Sequence, residues 1–253
     1  MMFILPVDPI AVSGLLLAGA VGLGVYATFA PHSSLWGPVI SCGTSTGLPR
    51  VALTFDDGPS PSATPRVLQI LREFNVSATF FVVGKLAERE PDLLRRIHAE
   101  GHLIANHSFD HAYWGAFRSK RYWVDQLRRT DAVIEQTIGK RPLLFRPPMG
   151  IKNPFIAAAV RETGHTMVTW SRRGLDGVST TAEQIEQRTV PRAAAGDVIL
   201  LHDGNVFNPR HDFRPSLEAL PAIVRGLWKR GLEFGRLDEV VGIKAYADDS
   251  ATA

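Results

Sequence analysis

From Arg50 onward, short runs rich in β-branched and aromatic residues alternate with longer stretches of helical periodicity. That alternation is the strongest constraint on the fold, because strands separated by helix-length segments pair in parallel and are covered by helices. Strands are expected at Val51–Phe55, Ala78–Val83, His102–Ala105, Leu143–Phe145, Thr166–Trp170, Val198–Leu201 and Leu232–Phe234. Helices are expected at Pro65–Phe74, Pro91–Glu100, Tyr122–Ile138, Pro154–Thr163, Ala182–Thr189 and Ser216–Arg230. In the longest of these, Leu127, Ile134 and Ile138 fall near one face, and Gly139 stands where a left-handed C-cap is wanted. The pattern specifies an α/β fold on a parallel sheet, and periodicity leaves open whether that sheet is doubly wound or closed into a barrel.

Either architecture gathers ligands at the carboxyl ends of its strands. Polar residues do follow the expected strands. Asp56-Asp57-Gly58-Pro59 comes after the first, Asn106-His107-Ser108-Phe109-Asp110-His111 after the third, and Arg146-Pro147-Pro148-Met149-Gly150 after the fourth. Trp170-Ser171 and then Asp176 follow the fifth, and His202-Asp203-Gly204 follows the sixth. Each group alone has a bland reading, since Asp, Gly and Pro favour turns and a spaced histidine pair often binds nothing. Together they supply two carboxylates, two imidazoles, an arginine and an Asp/His pair at one mouth, the inventory of a hydrolytic site.

The N-terminal part is of another kind. Between Pro9 and Pro49 there is no Asp, Glu, Lys or Arg. The run Ile10–Ala30 has the length and apolarity of a bilayer-spanning helix. Its lead-in, MMFILPVD, lacks the basic residue of a signal peptide, so a membrane anchor is expected. Residues 1–31 are read as that anchor, 32–49 as a Pro/Gly/Ser/Thr-rich linker, 50–243 as the catalytic domain and 244–253 as a flexible tail. No basic residue flanks the anchor to orient it; the catalytic domain is placed on the periplasmic or extracytoplasmic side. The net charge of +3 comes with no basic stripe, which excludes a nucleic-acid partner. Cys42 is the single cysteine, which excludes an internal disulfide and a cysteine-rich zinc site.

The ordered motifs TFDDGP, HSxxH, RPPxG, W…D and LLHDG resemble the polysaccharide deacetylase family, also called the NodB-homology domain or carbohydrate esterase family 4. The resemblance runs from Arg50 to Val241 and implies a distorted (β/α)7-type barrel, related to the TIM barrel. It implies hydrolysis of N-acetyl groups on peptidoglycan, chitin or related glucosamine polymers, with some relatives acting on lipid-linked sugars. It further implies a divalent metal held by Asp57, His107 and His111, with zinc first and cobalt, nickel or manganese as alternatives. Such a metal activates water and polarises an acyl carbonyl. By the same resemblance Asp56 is the general base, kept ionised and oriented by Arg146. His202 is the general acid, paired with Asp176. The Pro148–Met149 turn contacts the substrate, and the backbone N–H of Met149 serves the oxyanion.

Three positions depart from the family pattern. Met149 replaces a usual tyrosine, Gly177 follows Asp176 where tryptophan is usual, and Arg173 replaces a usual acid. The metal and acid–base sets are intact while the groove is altered. Arg210 and Arg214, in the loop after His202, are expected as phosphate or sugar contacts. The expected function is a membrane-anchored, metal-dependent N-deacetylase of an envelope polysaccharide or oligosaccharide. The second reading is a deacylase or deformylase of a lipid-linked amino sugar. An inactive sugar-binding module ranks last, because Asp56, Asp57, His107, His111 and His202 are all present.

Overall fold

The computed structural model describes residues 9–44, 48–208 and 210–248, with side chains from Ser13 onward. Among the described residues, one sheet contains β1 (Arg50–Asp56), β2 (Thr79–Val82), β3 (Leu103–Asn106), β4 (Leu144–Phe145), β5 (Thr166–Met167), β6 (Arg172–Arg173), β7 (Val198–His202) and β8 (Glu233–Phe234). The order is β5-β4-β3-β2-β1-β7-β6, with β8 added to β1, and every pairing is parallel. Thr166 opens its segment beside Leu144 of β4, and Arg172 ends it beside Ile199 of β7. One stretch of chain therefore crosses the seam between the sheet edges, which makes the barrel distorted.

Residue parity along β1 divides the interior. Val51, Leu53 and Phe55 join Phe80, Val82 and Ile104 under the helices, in a cluster that includes Leu68, Leu71, Ile97, Ile223 and Leu227. Ala52 faces the other way, with Phe81, Leu103, Ala105, Val198, Leu200 and Trp170. Alternation along a strand places Asp56 on that inner side as well, at the strand's carboxyl end.

The covering helices are α2 (Thr64–Glu73), α3 (Gly84–Arg89), α4 (Pro91–Ala99), α5 (Lys120–Ile138), α6 (Pro154–Thr163), α7 (Ala182–Thr189), α8 (Arg214–Lys229) and α9 (Leu237–Val241); α1 (Pro9–Phe29) precedes the sheet. Their ends follow local chemistry. Ser119 caps α5 by accepting from the Tyr122 N–H, and Gly139 ends it at φ 71. Asn153 caps α6, and Thr181 with Gln184 forms a capping box on α7. Periodicity missed α3 and α9, which have 6 and 5 residues, too few to show a face. It also missed β6, two arginines with no strand pattern.

The flanking segments differ from expectation. The described part of the stretch read as a linker rests on the barrel, where Ile40 bridges Val168, Cys42 bridges Asp197, and the Gly43 N–H donates to the Gly196 carbonyl. Residues 45–47 of it lie outside the described residues. The stretch read as a flexible tail is docked as far as Ala247. Tyr246 Oη accepts from the Ile104 N–H at 2.9 Å, and the Ala247 N–H donates to the Arg141 carbonyl. Residues 249–253 lie outside the described residues, as do residues 1–8 of the expected anchor. Among the described residues no helix is long and apolar enough to cross a membrane. Helix α1 is apolar, carries no charge, and touches the barrel only near its C-terminal end, where Ala27 is buried.

Phe80 is fully buried and stacks on Phe55 at 5.1 Å, at the centre of the larger cluster. Phe80→Ala is expected to lower unfolding free energy by about 3–5 kcal/mol, read from urea denaturation curves. A midpoint unchanged from wild type would place the core elsewhere.

Candidate active site

The chain leaves β1 through Asp57, which adopts φ 69. A positive φ is tolerated by Asp better than by most residues, and the kink aims adjacent carboxylates at different partners. Gly204 lies directly against this turn, and a Cβ there would strike the Asp57 carbonyl. Glycine is thus required in the loop after β7 for the two loops to approach.

His107 and His111 come from the loop after β3, which is shaped by two buried amides. Asn106 Oδ1 accepts from the Ser108 N–H, and Asn106 Nδ2 donates to the Leu127 carbonyl and Asp131. Gln126 Oε1 accepts from the Phe109 and Asp110 N–H groups at 3.0 and 2.9 Å. The result places His107 Nε2 3.4 Å and His111 Nε2 3.2 Å from Asp57 Oδ1. One ligand atom from each of the three residues lies within 4.8 Å of the others.

This arrangement fits a cation. His107 Nδ1 lies 2.8 Å from the Arg146 carbonyl, which can only accept, so Nδ1 carries the proton. With that proton on Nδ1, His107 Nε2 is the ring nitrogen left to face Asp57 Oδ1, which is buried and without a hydrogen-bond partner. A positive centre between these atoms would satisfy both. Burial would raise the Asp57 pKa, but the two imidazoles outweigh it and hold the carboxylate at about 2. Burial lowers His111 to about 4. At neutral pH both are therefore in the donor forms a divalent metal takes.

Beside the trio, Arg146 Nη1 donates to Asp56 Oδ1 at 2.6 Å and to Thr54 Oγ1 at 2.8 Å, and Nη2 donates to the Thr169 carbonyl. Arg146 is fully buried, with its guanidinium 4.0 Å above the Phe81 ring. Across the cavity Asp176 accepts twice from one residue. Its Oδ1 pairs with His202 Nδ1 at 2.9 Å and its Oδ2 accepts the His202 N–H at 2.9 Å. Burial works against a charged imidazole, but Asp176 prevails and raises His202 to about 9.

The comparisons with known proteins agree with this geometry. The polysaccharide deacetylase family model matches residues 43–168. A peptidoglycan-N-acetylglucosamine deacetylase of Bacillus cereus is 36% identical over 196 residues, covering 77% of this chain and 89% of that protein. The chain belongs to the polysaccharide deacetylase family. A chitooligosaccharide deacetylase of Sinorhizobium fredii is 34% identical, covering 74% of this chain and 90% of its own. Among solved structures, a peptidoglycan N-acetylglucosamine deacetylase in complex with 4-naphthalen-1-yl-N-oxidanyl-benzamide superposes with a TM-score of 0.76 at 30% identity, covering 81% of this chain and 94% of that one. The protein is accordingly a polysaccharide deacetylase, a hydrolase of amide C–N bonds.

In this deacetylase Asp56, Asp57, His107, His111 and His202 open on one cavity of about 300 Å³. Met149 borders it at φ 56, and the following Gly150 has no room for a Cβ against the Trp170 ring. Pro148 is buried beneath that turn and does not line the cavity. Asp176 stands behind His202, out of the lining. The two arginines expected as phosphate or sugar contacts stand apart. Arg210 borders a separate cavity beside Ser179 and Asp212, and the Arg214 fork closes on Asp212 at 2.7 Å. The cause is local, since Asp212 lies only two residues before Arg214.

Sequence reasoning assigned no role to several residues that matter. Phe207 lines the cavity and meets His111 edge-on at 5.0 Å. Asp203 is buried, accepts from Thr64 Oγ1 at 2.5 Å, and backs onto Gly58, bracing the turn that carries Asp57. Burial raises its carboxyl to about 7. Its adjacency to His202 was the only signal of it in the sequence.

Replacing Asp57 by Asn, or His111 by Ala, is expected to weaken zinc binding more than about 100-fold, measured by calorimetry, and to abolish the thermal stabilisation that zinc gives the wild type. Unchanged affinity would remove the trio from consideration.

Proposed function

We propose that the protein removes the N-acetyl group from an N-acetylglucosamine unit of an envelope glycan, and that α1 anchors it to a membrane with the catalytic domain on the extracytoplasmic side. One observation carries the catalytic part: the Asp57–His107–His111 trio shares a cavity with Asp56 and His202, each backed by its own buried partner. The relatives named for peptidoglycan and chitooligosaccharides supply the substrate class. The anchor rests on α1, a 21-residue helix without charge whose Leu15, Leu16, Leu17, Val21 and Leu23 project into solvent. A helix apolar on every side needs an apolar surrounding.

Asp57, His107 and His111 would hold the metal, zinc first, and cobalt, nickel or manganese are the alternatives for the same donors. When bound, it would supply an acidified water and polarise the acyl carbonyl. Asp56, steered by Arg146, takes a proton in the attack. His202 enters protonated and delivers its proton to the departing amine, while Asp176 fixes its tautomer through Nδ1. In this reading the backbone N–H of Met149, whose left-handed turn borders the cavity, serves the oxyanion.

A lipid-linked amino sugar is the second reading. Met149, Leu175 and Val178 border the cavity and are exposed, and Gly177 lies against the His202 ring. The rim is thus more apolar than a groove for a hydrated polymer requires. Acetate distinguishes deacetylation from deformylation, which releases formate.

With zinc present, acetate release from N-acetylglucosamine oligomers is expected, and Asp56→Asn should reduce kcat about 10²–10⁴-fold while retaining zinc affinity. Wild-type-like turnover by Asp56→Asn would reject its role as base. The pH profile tests His202. Its folded pKa is raised, so the proton-donating form is present at low pH and is lost as pH rises toward about 9. A bound dication draws that limit down. Asp176→Asn is expected to move the alkaline limb about 1–2 units lower; an unmoved limb would assign the proton donor to another group.

A further inference from the structure

We propose that the loop beside the catalytic cavity docks on an anionic lipid bilayer through Tyr113, Trp114 and Phe117, with Arg118 and Arg121 at the headgroups, so that substrate reaches the site from the lipid surface. The inference rests on the anchor reading of α1 and adds to it which face of the enzyme meets the membrane.

The loop begins two residues after His111 and adjoins the cavity through Phe207. Tyr113, Trp114 and Phe117 are 59%, 66% and 80% exposed, an unusual concentration of aromatic surface in five positions. They continue a chain of rings that starts at the metal trio. His111 meets Phe207 at 5.0 Å, Phe207 meets Tyr113 at 5.3 Å, Tyr113 meets Trp114 at 5.0 Å, and Trp114 meets Phe117 at 5.9 Å. The loop is held in this display. Gly115 packs on the Trp123 ring, the Phe117 N–H donates to the Trp114 carbonyl, and Asn153 Nδ2 donates to the Ala116 carbonyl at 2.6 Å.

The root of α1 is at the same place. Lys152, next to Asn153, donates its backbone N–H to the Thr28 carbonyl and its Nζ to the Ala30 carbonyl at 2.5 Å. Met149, at the cavity edge, lies three residues earlier. One short turn therefore joins the cavity mouth, the aromatic loop and the end of the uncharged helix. An apolar phase that reaches the C-terminal end of α1 adjoins the mouth.

Charge points to the same partner. Arg118, Lys120 and Arg121 follow the aromatic residues directly and are exposed. Arg118 lies over the Tyr122 ring and Lys120 pairs with Glu162. Aromatic side chains at the depth of the headgroups with arginines beside them match the interface of an anionic membrane. The rival occupant is a glycan chain stacked on the same rings, and the test separates the two.

The full-length protein is mixed with vesicles of phosphatidylcholine, with and without phosphatidylglycerol, and floated. Tryptophan quenching by brominated acyl chains is then compared between wild type and Trp114→Phe. Flotation with both, and quenching that is largely lost in Trp114→Phe and stronger with phosphatidylglycerol, is the expected result. Trp114→Ser/Phe117→Ser is expected to change turnover of soluble N-acetylglucosamine oligomers by less than about two-fold, and to lower turnover of an N-acetylglucosaminyl lipid in the same vesicles by about ten-fold or more. Flotation without Trp114-dependent quenching overturns the inference and leaves the anchor standing. Failure to float removes the anchor and the inference together. Equal loss on soluble and lipid-borne substrates makes the loop a glycan platform and overturns the proposal.

Discussion

The buried Arg146–Asp56 pair is the interaction on which the catalytic face depends. One side chain, fully enclosed, reaches Asp56 and Thr54 of β1 and the Thr169 carbonyl beyond β5, and its guanidinium lies over Phe81 of β2. Its own carbonyl accepts from His107 Nδ1 in the loop after β3. A buried carboxylate of the cavity, one member of the metal-site trio and the seam of the barrel are thus referred to one residue. Burying two charges is costly, and such a pair is tolerated only when its remaining hydrogen-bonding capacity is met. Arg146 nearly meets that condition, since Nε alone is without a partner. The cost is consistent with a pair retained for geometry, because a hydrophobic substitute would pack there and orient nothing.

The parallel sheet makes such convergence feasible. All strands point their carboxyl ends the same way, so loops that are distant in sequence meet on one face. The loops need unusual backbone to get there. Asp57, Ser108, His111, Met149 and Leu175 all adopt positive φ. Each of these residues is in the cavity lining or in a loop that supports it, and their strain is held by the surrounding packing. Gly204 and Gly150 remove the Cβ atoms that would push those loops apart.

The legible part of the sequence was the part governed by period and by strand ends. Each of the seven expected strands has a counterpart in the sheet, because apolar runs buried on both faces leave a plain signature. Asp57, His107 and His202 stood out as polar residues directly after those runs, and the ligand trio was legible through the family resemblance of TFDDGP and HSxxH. Gln126 and Asn106 were not, since an amide that scaffolds a loop looks like any polar residue on a helix or strand. Phe207 reads as an incidental aromatic in a polar loop until His111 is seen beside it. Arg210 and Arg214 show what the sequence hides: a suggestive pair of cations carries no sign that Asp212, two residues before, pairs with Arg214. The docked segments around Ile40 and Tyr246 were illegible because a few bridging residues carry no periodicity.

The chemistry finally depends on like residues being driven apart by their surroundings. His111 and His202 are the same side chain at one cavity, yet burial lowers the first to about 4 while Asp176 lifts the second to about 9. Asp57 and Asp203 diverge likewise, at about 2 and about 7, because the first faces two imidazoles and the second is enclosed beside other carboxylates. A ligand must be unprotonated and a proton donor must not be, so these divergences are consistent with the roles proposed for His111, Asp57 and His202. His111 without a carboxylate of its own can bind a metal; His202 with Asp176 behind it can return a proton to a leaving amine. The partners behind the cavity residues, Asp176 at His202 and Arg146 at Asp56, therefore matter to amide cleavage as much as the identity of the ligands does.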